Sequence, residues 1–577
     1  MSPFAFPRTN NEKQTMNKKV CEMILDILAP VSTKQFFGMT GDTLNPLLDA
    51  IRRDGRFEWM GVRHEEAGAF AAGAQAKLTG KLGLCAGTTG PGALHLINGL
   101  YDAKRDRAPV LAITGHIPTS EQGTTYFQET DLTGIFEDIC VYNQYLSSPA
   151  QMPRMVQQAV QTALTEGGVA HISIPSDIIN QDVPNSDHQR EIMIPHASIM
   201  PCPGELQNAA DILNKGGKIT ILAGHGCHGA RDELLALAKM LNAPIVRTLR
   251  ATDVMEYENP YWIGGLGMLG SPQGIKAIEE CDSLLMLGTD FPYSAFLPHD
   301  KNIIQVDVKA AHIGRRCPVT VGIIGHVKPT MVELTNLLTQ NTDDAFLSKA
   351  QSRAEAWDKT MDKKASLEKR KLTPPQAVTR MACDLADDDA IFTVDVGEVT
   401  AFAARHLRMR GNQRLLGSFN HGTLGVAFPS TMGVQALDRH RQCIALCGDG
   451  AFGMMMQDFV TAARYELPLT VIVYNNEKLG FVELEMQATG FPKYGTKLVN
   501  PDFAAYAEIC GGKGIKVEKP EELEDAIRTA YAAKTPYILD VKVNPDELIL
   551  PPKIDPAHAW GYSFAKLKEL FVETETQ

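Results

Sequence analysis

Cys443-Ile444-Ala445-Leu446-Cys447-Gly448-Asp449-Gly450 and Leu469-Thr470-Val471-Ile472-Val473-Tyr474-Asn475-Asn476 decide the fold of this chain. Each is an apolar, strand-like run that ends in polar residues, and a helix-like stretch from Met454 to Tyr465 separates them. Strand, helix, strand in that order predicts a βαβ unit. Both strand ends then open on the same edge of a parallel sheet, so the Asp449 carboxylate and an amide oxygen from Asn475-Asn476 converge on one crevice. Hard oxygen donors held that way suit Mg²⁺ carrying a diphosphate, because Mg²⁺ takes one or two carboxylates together with phosphate oxygens. Gly448 and Gly450 let the backbone approach the phosphates, and the following helix offers its N-terminal amides.

The same alternation of β-branched runs and helical periodicity extends over almost the whole chain, which predicts an α/β protein of doubly wound parallel sheets. Its 577 residues leave room for about three to four domains at roughly 150 residues each. Residues 1–15 form an N-terminal extension. A first block covers 16–195, with strand-like Gln35-Phe36-Phe37-Gly38, Leu82-Gly83-Leu84-Cys85, Val110-Leu111-Ala112-Ile113 and His171-Ile172-Ser173-Ile174. A second covers 196–340, with strands over Lys218 to Leu222, Ser283 to Leu287 and Ile303 to Val308. A charged, helix-prone linker (341–373) leads to a third block (374–545), and 546–577 is a tail.

Composition excludes several classes. With 44% hydrophobic and 21% charged residues the chain is an ordinary globular one, and a net charge of -12 excludes sequence-independent nucleic-acid binding, which needs a basic face. Eleven cysteines without a CxxC pair read as reduced, mostly buried thiols of a cytosolic protein, with Cys443 and Cys447 as core. No run reaches the 18 or so apolar residues of a membrane span, and no signal peptide is evident.

In the first block, Val62-Arg63-His64-Glu65-Glu66 precedes a helix of very small side chains, Ala67 to Ala74. Two readings of Glu65 follow: a carboxyl in an apolar setting whose raised pKa makes it a proton donor near neutrality, or a surface ion pair with Arg63. In the second block, Gly224-His225-Gly226-Cys227-His228-Gly229 is a formal GxGxxG after a strand, but the acid expected at the end of the next strand is missing. Asp307, closing a later strand, is a better candidate for accepting from ribose hydroxyls.

Gly448-Asp449-Gly450 with Asn475-Asn476 resembles the cofactor motif of the thiamin diphosphate-dependent enzymes, and Arg63-His64-Glu65 resembles that family's Arg-His-Glu segment. The resemblance makes Asp449, Asn476 and the main-chain oxygen of Lys478 the metal ligands, and places Gly450 and Ala451 at the diphosphate. It makes Glu65 the carboxyl that hydrogen-bonds the aminopyrimidine ring and leaves Glu66 structural. Thr89-Gly90-Pro91-Gly92, Asn98 to Asp102 and Tyr126-Phe127-Gln128-Glu129 are similar to strings of pyruvate oxidases and acetolactate synthases. Asn420-His421-Gly422-Thr423-Leu424 and Leu479-Gly480-Phe481-Val482 resemble pyruvate oxidases more narrowly.

By that resemblance Gly422, Thr423 and Leu424 hold the pyrimidine, and Gly480, Phe481 and Val482 adjoin the cofactor. Phe127, Gln128, Phe481 and Glu485 line the substrate pocket. Plain core packing is the alternative for Phe127, Leu424 and Phe481. Leu266-Gly267-Met268-Leu269, Thr289-Asp290-Phe291-Pro292-Tyr293 and Asp307 resemble FAD-contacting positions. The three blocks become pyrimidine-binding, central FAD-binding and diphosphate-binding domains.

From Met16 to about Phe564 the chain resembles bacterial pyruvate dehydrogenases of the quinone-reducing, acetate-forming pyruvate oxidase type. The resemblance implies pyruvate and water giving acetate and CO₂, with electrons passing through FAD to a quinone, in a homotetramer. It also implies a cytoplasmic enzyme with at most weak peripheral contact at the inner face of the membrane. The tail departs from that group: the stripe Trp560, Phe564, Leu567, Leu570 and Phe571 is brief and ends in acidic residues, which reads as a helix packing on its own protein. Rival readings are an acetolactate synthase-type carboligase, a phosphate-dependent, oxygen-using pyruvate oxidase, and a non-catalytic cofactor-binding protein on the same fold.

Overall fold

The structure, a computed structural model, describes residues 17–184 and 198–547 together with Ile549, Pro552 and Ala565. The predicted N-terminal extension and most of the predicted tail, including its apolar stripe, lie outside the described residues. The chain divides into two compact units, Met1–Ile194 and Pro195–Gln577.

The first unit holds one six-stranded parallel sheet. Its strands are β1 (Ser32–Gly38), β2 (Glu58–Gly61), β3 (Leu82–Gly87), β4 (Val110–His116), β5 (Cys140–Tyr145) and β6 (Val169–Pro175), in spatial order β2-β1-β3-β4-β6-β5. β4 and β6 are buried along their whole length, as expected of central parallel strands covered on both faces. The helix Glu65–Thr79 is buried over most of its length, and its small side chains explain why. A β-carbon on Gly99, in the neighbouring helix Ile97–Asp106, would lie 2.5 Å from Ala69 Cβ, so the two helices meet almost backbone to backbone. That packing sets the position of Glu65 at the first turn.

The second unit holds two further six-stranded parallel sheets. The central one contains β7 (Ile219–Ala223), β8 (Ile245–Arg247), β9 (Trp262–Gly265), β10 (Ser283–Leu287), β11 (Asn302–Asp307) and β12 (Val321–Ile324), ordered β12-β11-β10-β7-β8-β9. Counted within the sheet this is 3-2-1-4-5-6, the order of dinucleotide-binding folds, with its switch point between β7 and β10. The last sheet contains β13 (Ile391–Val394), β14 (Arg414–Gly417), β15 (Cys443–Gly448), β16 (Thr470–Asn475), β17 (Lys513–Val517) and β18 (Tyr537–Lys542), ordered β14-β13-β15-β16-β18-β17. It repeats the order of the first sheet, with the switch point between β13 and β15. The charged stretch between the second and third sheets forms the helix Ala345–Ala365.

Three doubly wound parallel sheets are therefore present, as the alternation of apolar runs predicted. One local expectation needs correction. The helix between β15 and β16 does not begin at Met454: it runs Asp449–Met455, tightens through Met456–Asp458 and resumes as Phe459–Arg464. Asp458, fully buried, accepts from the Thr461 hydroxyl at 2.9 Å and starts the second segment. Apolar periodicity continues through the break, which is why the sequence hides it. Cys443 and Cys447 are buried free thiols of β15, and burial raises the pKa of both.

Two buried histidines make stability depend on pH. His171 in β6 lies 2.8 Å from both the Thr114 hydroxyl and Asn143 Oδ1 and stacks on Phe136, and burial depresses its pKa to about 3. Burial, reinforced by Arg380, does the same to His406 in the second unit, also to about 3. An unfolded imidazole protonates near pH ~6.5, so below that pH the unfolded chain binds protons that the folded chain refuses. Stability is fully present above that point and falls by up to ~1.4 kcal/mol per pH unit for each group as pH drops toward 3. Denaturant unfolding between pH 7 and 4.5 should show this slope, and His171→Gln should flatten the part belonging to the first unit.

Candidate functional site

Asp449 stands at the first position after β15, at the switch point of the last sheet. Its carboxyl is buried and fully oriented. Oδ1 accepts from the Gly450 N–H at 2.8 Å, while Oδ2 accepts from the Glu477 N–H at 2.7 Å and from Asn500 Nδ2 at 2.8 Å. Burial raises its pKa, opposed by those donors. Across the crevice, β16 ends in two asparagines with different partners. Asn475 is structural: its Nδ2 donates to Asp540 Oδ1 at 2.9 Å and its Oδ1 accepts from Asn500 at 3.0 Å. Asn476 belongs to the crevice, with Oδ1 accepting from the Lys478 N–H at 3.2 Å and Nδ2 donating to Glu398 Oε2 at 2.9 Å.

The donor set is hard oxygen throughout, and a side chain's first carbon at Gly448 or Gly453 would meet no atom within 4 Å, leaving room for a bulky anion. These residues fit a Mg²⁺–diphosphate pair. Glu398, the first residue of the helix Glu398–His406 after β13, is pushed up to about 7 by burial, opposed chiefly by the Lys478 ammonium. Lys478 Nζ in turn lies 3.2 Å from Glu483.

In the first unit Glu65 opens the helix Glu65–Thr79, and its side chain is buried rather than paired on the surface. Oε2 lies 2.9 Å from His95 Nδ1, and His95 stacks on His64 with centroids 4.4 Å apart. Glu66 instead accepts from Asn98 Nδ2 at 2.6 Å. The surface ion pair is thus not the role of this carboxyl.

Three segments match thiamine pyrophosphate enzyme domains: the N-terminal TPP binding domain over 18–135, the central domain over 206–334 and the C-terminal TPP binding domain over 395–541. The chain belongs to the thiamine pyrophosphate enzyme family. YdaP of Bacillus subtilis, provisionally named as thiamine pyrophosphate-containing, is 40% identical over 556 residues, 96% of each chain. The pyruvate oxidase of Lactiplantibacillus plantarum is 29% identical over 535 residues, covering 91% of this chain and 88% of its own. The large subunit of acetolactate synthase isozyme 2 of Escherichia coli is 30% identical over 549 residues, covering 92% and 96%.

For a thiamine pyrophosphate enzyme, the loop expected at the pyrimidine is firmly held. Ser418 Oγ accepts from the N–H groups of Gly422 and Thr423 at 3.0 and 3.2 Å. Asp395, at the end of β13, accepts from Gly425 N–H at 2.9 Å and Ala427 N–H at 3.3 Å, and burial pushes its pKa up to about 6. Leu424 is half-buried, and Ala451 is buried in the turn after Asp449. Gly480, Phe481, Val482 and Glu485 lie on the helix Gly480–Ala488, with Phe481 half-buried and Val482 and Glu485 exposed. Phe127 is 78% exposed, which removes core packing as its explanation. It precedes Gln128, whose φ of +63° is held where Glu129 accepts from the Gly123 and Tyr126 N–H groups.

In the central sheet the predicted flavin positions follow β9, β10 and β11 on one edge. Gly267, where a β-carbon would sit 3.0 Å from the Phe291 ring, brings Leu266–Leu269 against the Thr289–Tyr293 loop. Leu266, Thr289 and Phe291 are buried, whereas Met268, Pro292 and Tyr293 are exposed. Asp290 pairs with Arg315 and Arg316. Asp307 is buried, its Oδ1 accepting from Lys309 N–H at 2.9 Å and lying 3.0 Å from His312 Nδ1. The GxGxxG string does other work. A β-carbon on Gly224 would lie 2.4 Å from the Gly288 carbonyl, and the Gly226 N–H donates to that same carbonyl at 3.0 Å, so these glycines pack two loops across the switch point.

Sequence reasoning missed Glu398, Asp395, Ser418, Asn500 and Asp540. Asp395 alone carried a usable signal, a carboxylate following a strand two positions before Gly397, much as Asp449 follows one directly before Gly450.

Proposed function

We propose that this thiamine pyrophosphate enzyme decarboxylates pyruvate oxidatively to acetate and CO₂, with FAD taking the electrons and passing them to a quinone. The observation that supports the flavin is the 3-2-1-4-5-6 central sheet, whose carboxyl edge gathers Leu266–Leu269, Thr289–Tyr293 and Asp307, and the redox use of that flavin is what the pyruvate experiment below tests. Thiamin diphosphate, when bound, supplies the electron sink that lets a 2-keto acid lose CO₂.

The chain's own residues have distinct tasks in this reading. Asp449, Asn476 and the Lys478 carbonyl hold Mg²⁺ and through it the diphosphate. Glu65, buried and in contact with His95, exchanges a proton with the aminopyrimidine. Gly422 to Leu424 hold the ring, and Phe127, Gln128, Phe481 and Glu485 bound the substrate. The enzyme works as a homotetramer, supported by exposed Met454, Val482, Phe491, Tyr494 and Val499, apolar surface of the kind that partner subunits cover. No described helix is long and apolar enough to cross a membrane.

A carboligase of acetolactate synthase type is the second reading, favoured by relatives of that name 30% identical over 92% of this chain. Anaerobic addition of pyruvate to the purified holoenzyme separates the two. Bleaching of the flavin, its recovery on adding a quinone analogue, and acetate as product are the expected results. Acetolactate without bleaching would replace the proposal by carboligation, and acetyl phosphate with peroxide would replace the quinone by oxygen.

A further inference from the structure

We propose that Glu398 is a positioning residue of the metal–diphosphate site, fixing the side-chain amide of Asn476 so that its oxygen faces the cation, and that residue 480 is glycine because this carboxylate fills the space beside it. The inference rests on the reading of Asp449 and Asn476 as metal ligands.

A primary amide has nearly the same shape after a half-turn, yet one end accepts and the other donates, so its neighbours decide which end faces a cation. Asn476 has one neighbour of each kind. The Lys478 N–H can only donate and lies 3.2 Å from Oδ1, and Glu398 Oε2 lies 2.9 Å from Nδ2 and accepts from it. Turned over, the amide would set NH₂ against N–H and oxygen against carboxylate. The orientation that serves a metal is therefore the one that Glu398 enforces together with the Lys478 N–H, in the way outer partners of metal ligands usually act.

Gly480 gives independent support. A β-carbon there would lie 2.2 Å from Glu398 Oε2 and 2.8 Å from Oε1, closer than any real contact. Any side chain at 480 must drive the carboxylate off Asn476. Glu398 itself is delivered from β13 and Asn476 from β16, on either side of β15 and its Asp449. The crevice thus receives residues from three adjacent strands.

The test is Mn²⁺ binding, followed by electron paramagnetic resonance with thiamin diphosphate present, in the full-length wild type and in Glu398→Ala, Glu398→Gln, Gly480→Ala, Glu398→Ala/Gly480→Ala and Asp449→Ala. Glu398→Ala should weaken Mn²⁺ roughly 10–100-fold, the usual cost of losing an outer partner. Glu398→Gln keeps an acceptor oxygen for Nδ2 and should stay near wild type. Gly480→Ala should match Glu398→Ala, and the double variant should be no weaker than either single one, because both remove the same interaction. The thermal midpoint of the metal-free proteins should stay together across the Glu398 variants, which a purely structural role would not allow. Mn²⁺ binding unchanged in Glu398→Ala but lost in Asp449→Ala overturns the positioning role and leaves the metal site standing. Binding unchanged in Asp449→Ala as well overturns the site reading itself. Equal losses in Glu398→Gln and Glu398→Ala would make Glu398 act by charge, which also overturns the proposal. Should Glu398→Ala fail to fold, Gly480→Ala against Glu398→Gln decides the matter.

Discussion

Glu65→Gln should reduce pyruvate turnover by roughly 10²–10⁴-fold, the range that a positioned acid–base group contributes. Glu65 is 3% exposed, its Oε2 is 2.9 Å from His95 Nδ1, and a β-carbon on Gly92 would lie 2.9 Å from Oε1, so the carboxyl is enclosed on both oxygens. Glutamine has the same shape and keeps an oxygen to accept from His95, so packing is retained. What is lost is the capacity to take up and release a proton at that point. The flavin content of the purified variant should equal that of wild type, since the predicted flavin positions belong to another sheet. Steady-state kinetics with pyruvate, alongside a flavin spectrum and a thermal melt, provide the check, and turnover close to wild type would remove Glu65 from the catalytic machinery.

Asp449→Ala should abolish retention of thiamin diphosphate through gel filtration in the presence of Mg²⁺. Three donors converge on this carboxylate, from Gly450, Glu477 and Asn500. Removing it withdraws the negative charge from the cation and also strands buried donors, at about 1–3 kcal/mol each where water cannot replace the partner. Asp449→Asn separates the two effects in part: it keeps volume and an acceptor oxygen for the Glu477 and Asn500 donors, loses the charge, and leaves only the Gly450 N–H facing an NH₂. Metal affinity in Asp449→Asn should fall at least as far as the roughly 10–100-fold typical of a lost outer partner, while its thermal midpoint without metal falls less than that of Asp449→Ala, since two of the three donors keep an acceptor. Calorimetric titration of Mg²⁺ with thiamin diphosphate present measures the first, and a thermal melt of the metal-free proteins the second. Cofactor retained by Asp449→Ala would move the diphosphate site elsewhere.

Asp449 was legible because its signal is contiguous: an apolar strand, a glycine, an acid and another glycine occupy consecutive positions. Glu65 was legible as a pair of alternatives only. Whether it meets Arg63 at the surface or His95 inside depends on how closely the helix Glu65–Thr79 packs on Ile97–Asp106, which no local string encodes. The same limit explains Phe127, whose exposure follows from a loop closed by Glu129 rather than from its own hydrophobicity. The GxGxxG string misled in the opposite direction. Its spacing is formally that of a phosphate loop, but Gly224 and Gly226 are crowded by Gly288 from the neighbouring strand, and Gly229 adopts a φ of +73°.

By itself the sequence determined that this is an α/β protein of three parallel sheets, that an oxygen-ligand crevice closes β15 and β16, and that the chain resembles the thiamin diphosphate-dependent enzymes. Those conclusions depend on hydrophobic period and on short strings, both carried by neighbouring residues. Only the tertiary structure decided the strand orders, the division of labour between Asn475 and Asn476, and the entry of Glu398, Asp395 and Asn500 into the site. The reason is physical: a hydrogen bond acts over about 3 Å whatever the separation along the chain. Which distant side chains come within that reach is set by which strands pair, and strand pairing is a property of the whole fold.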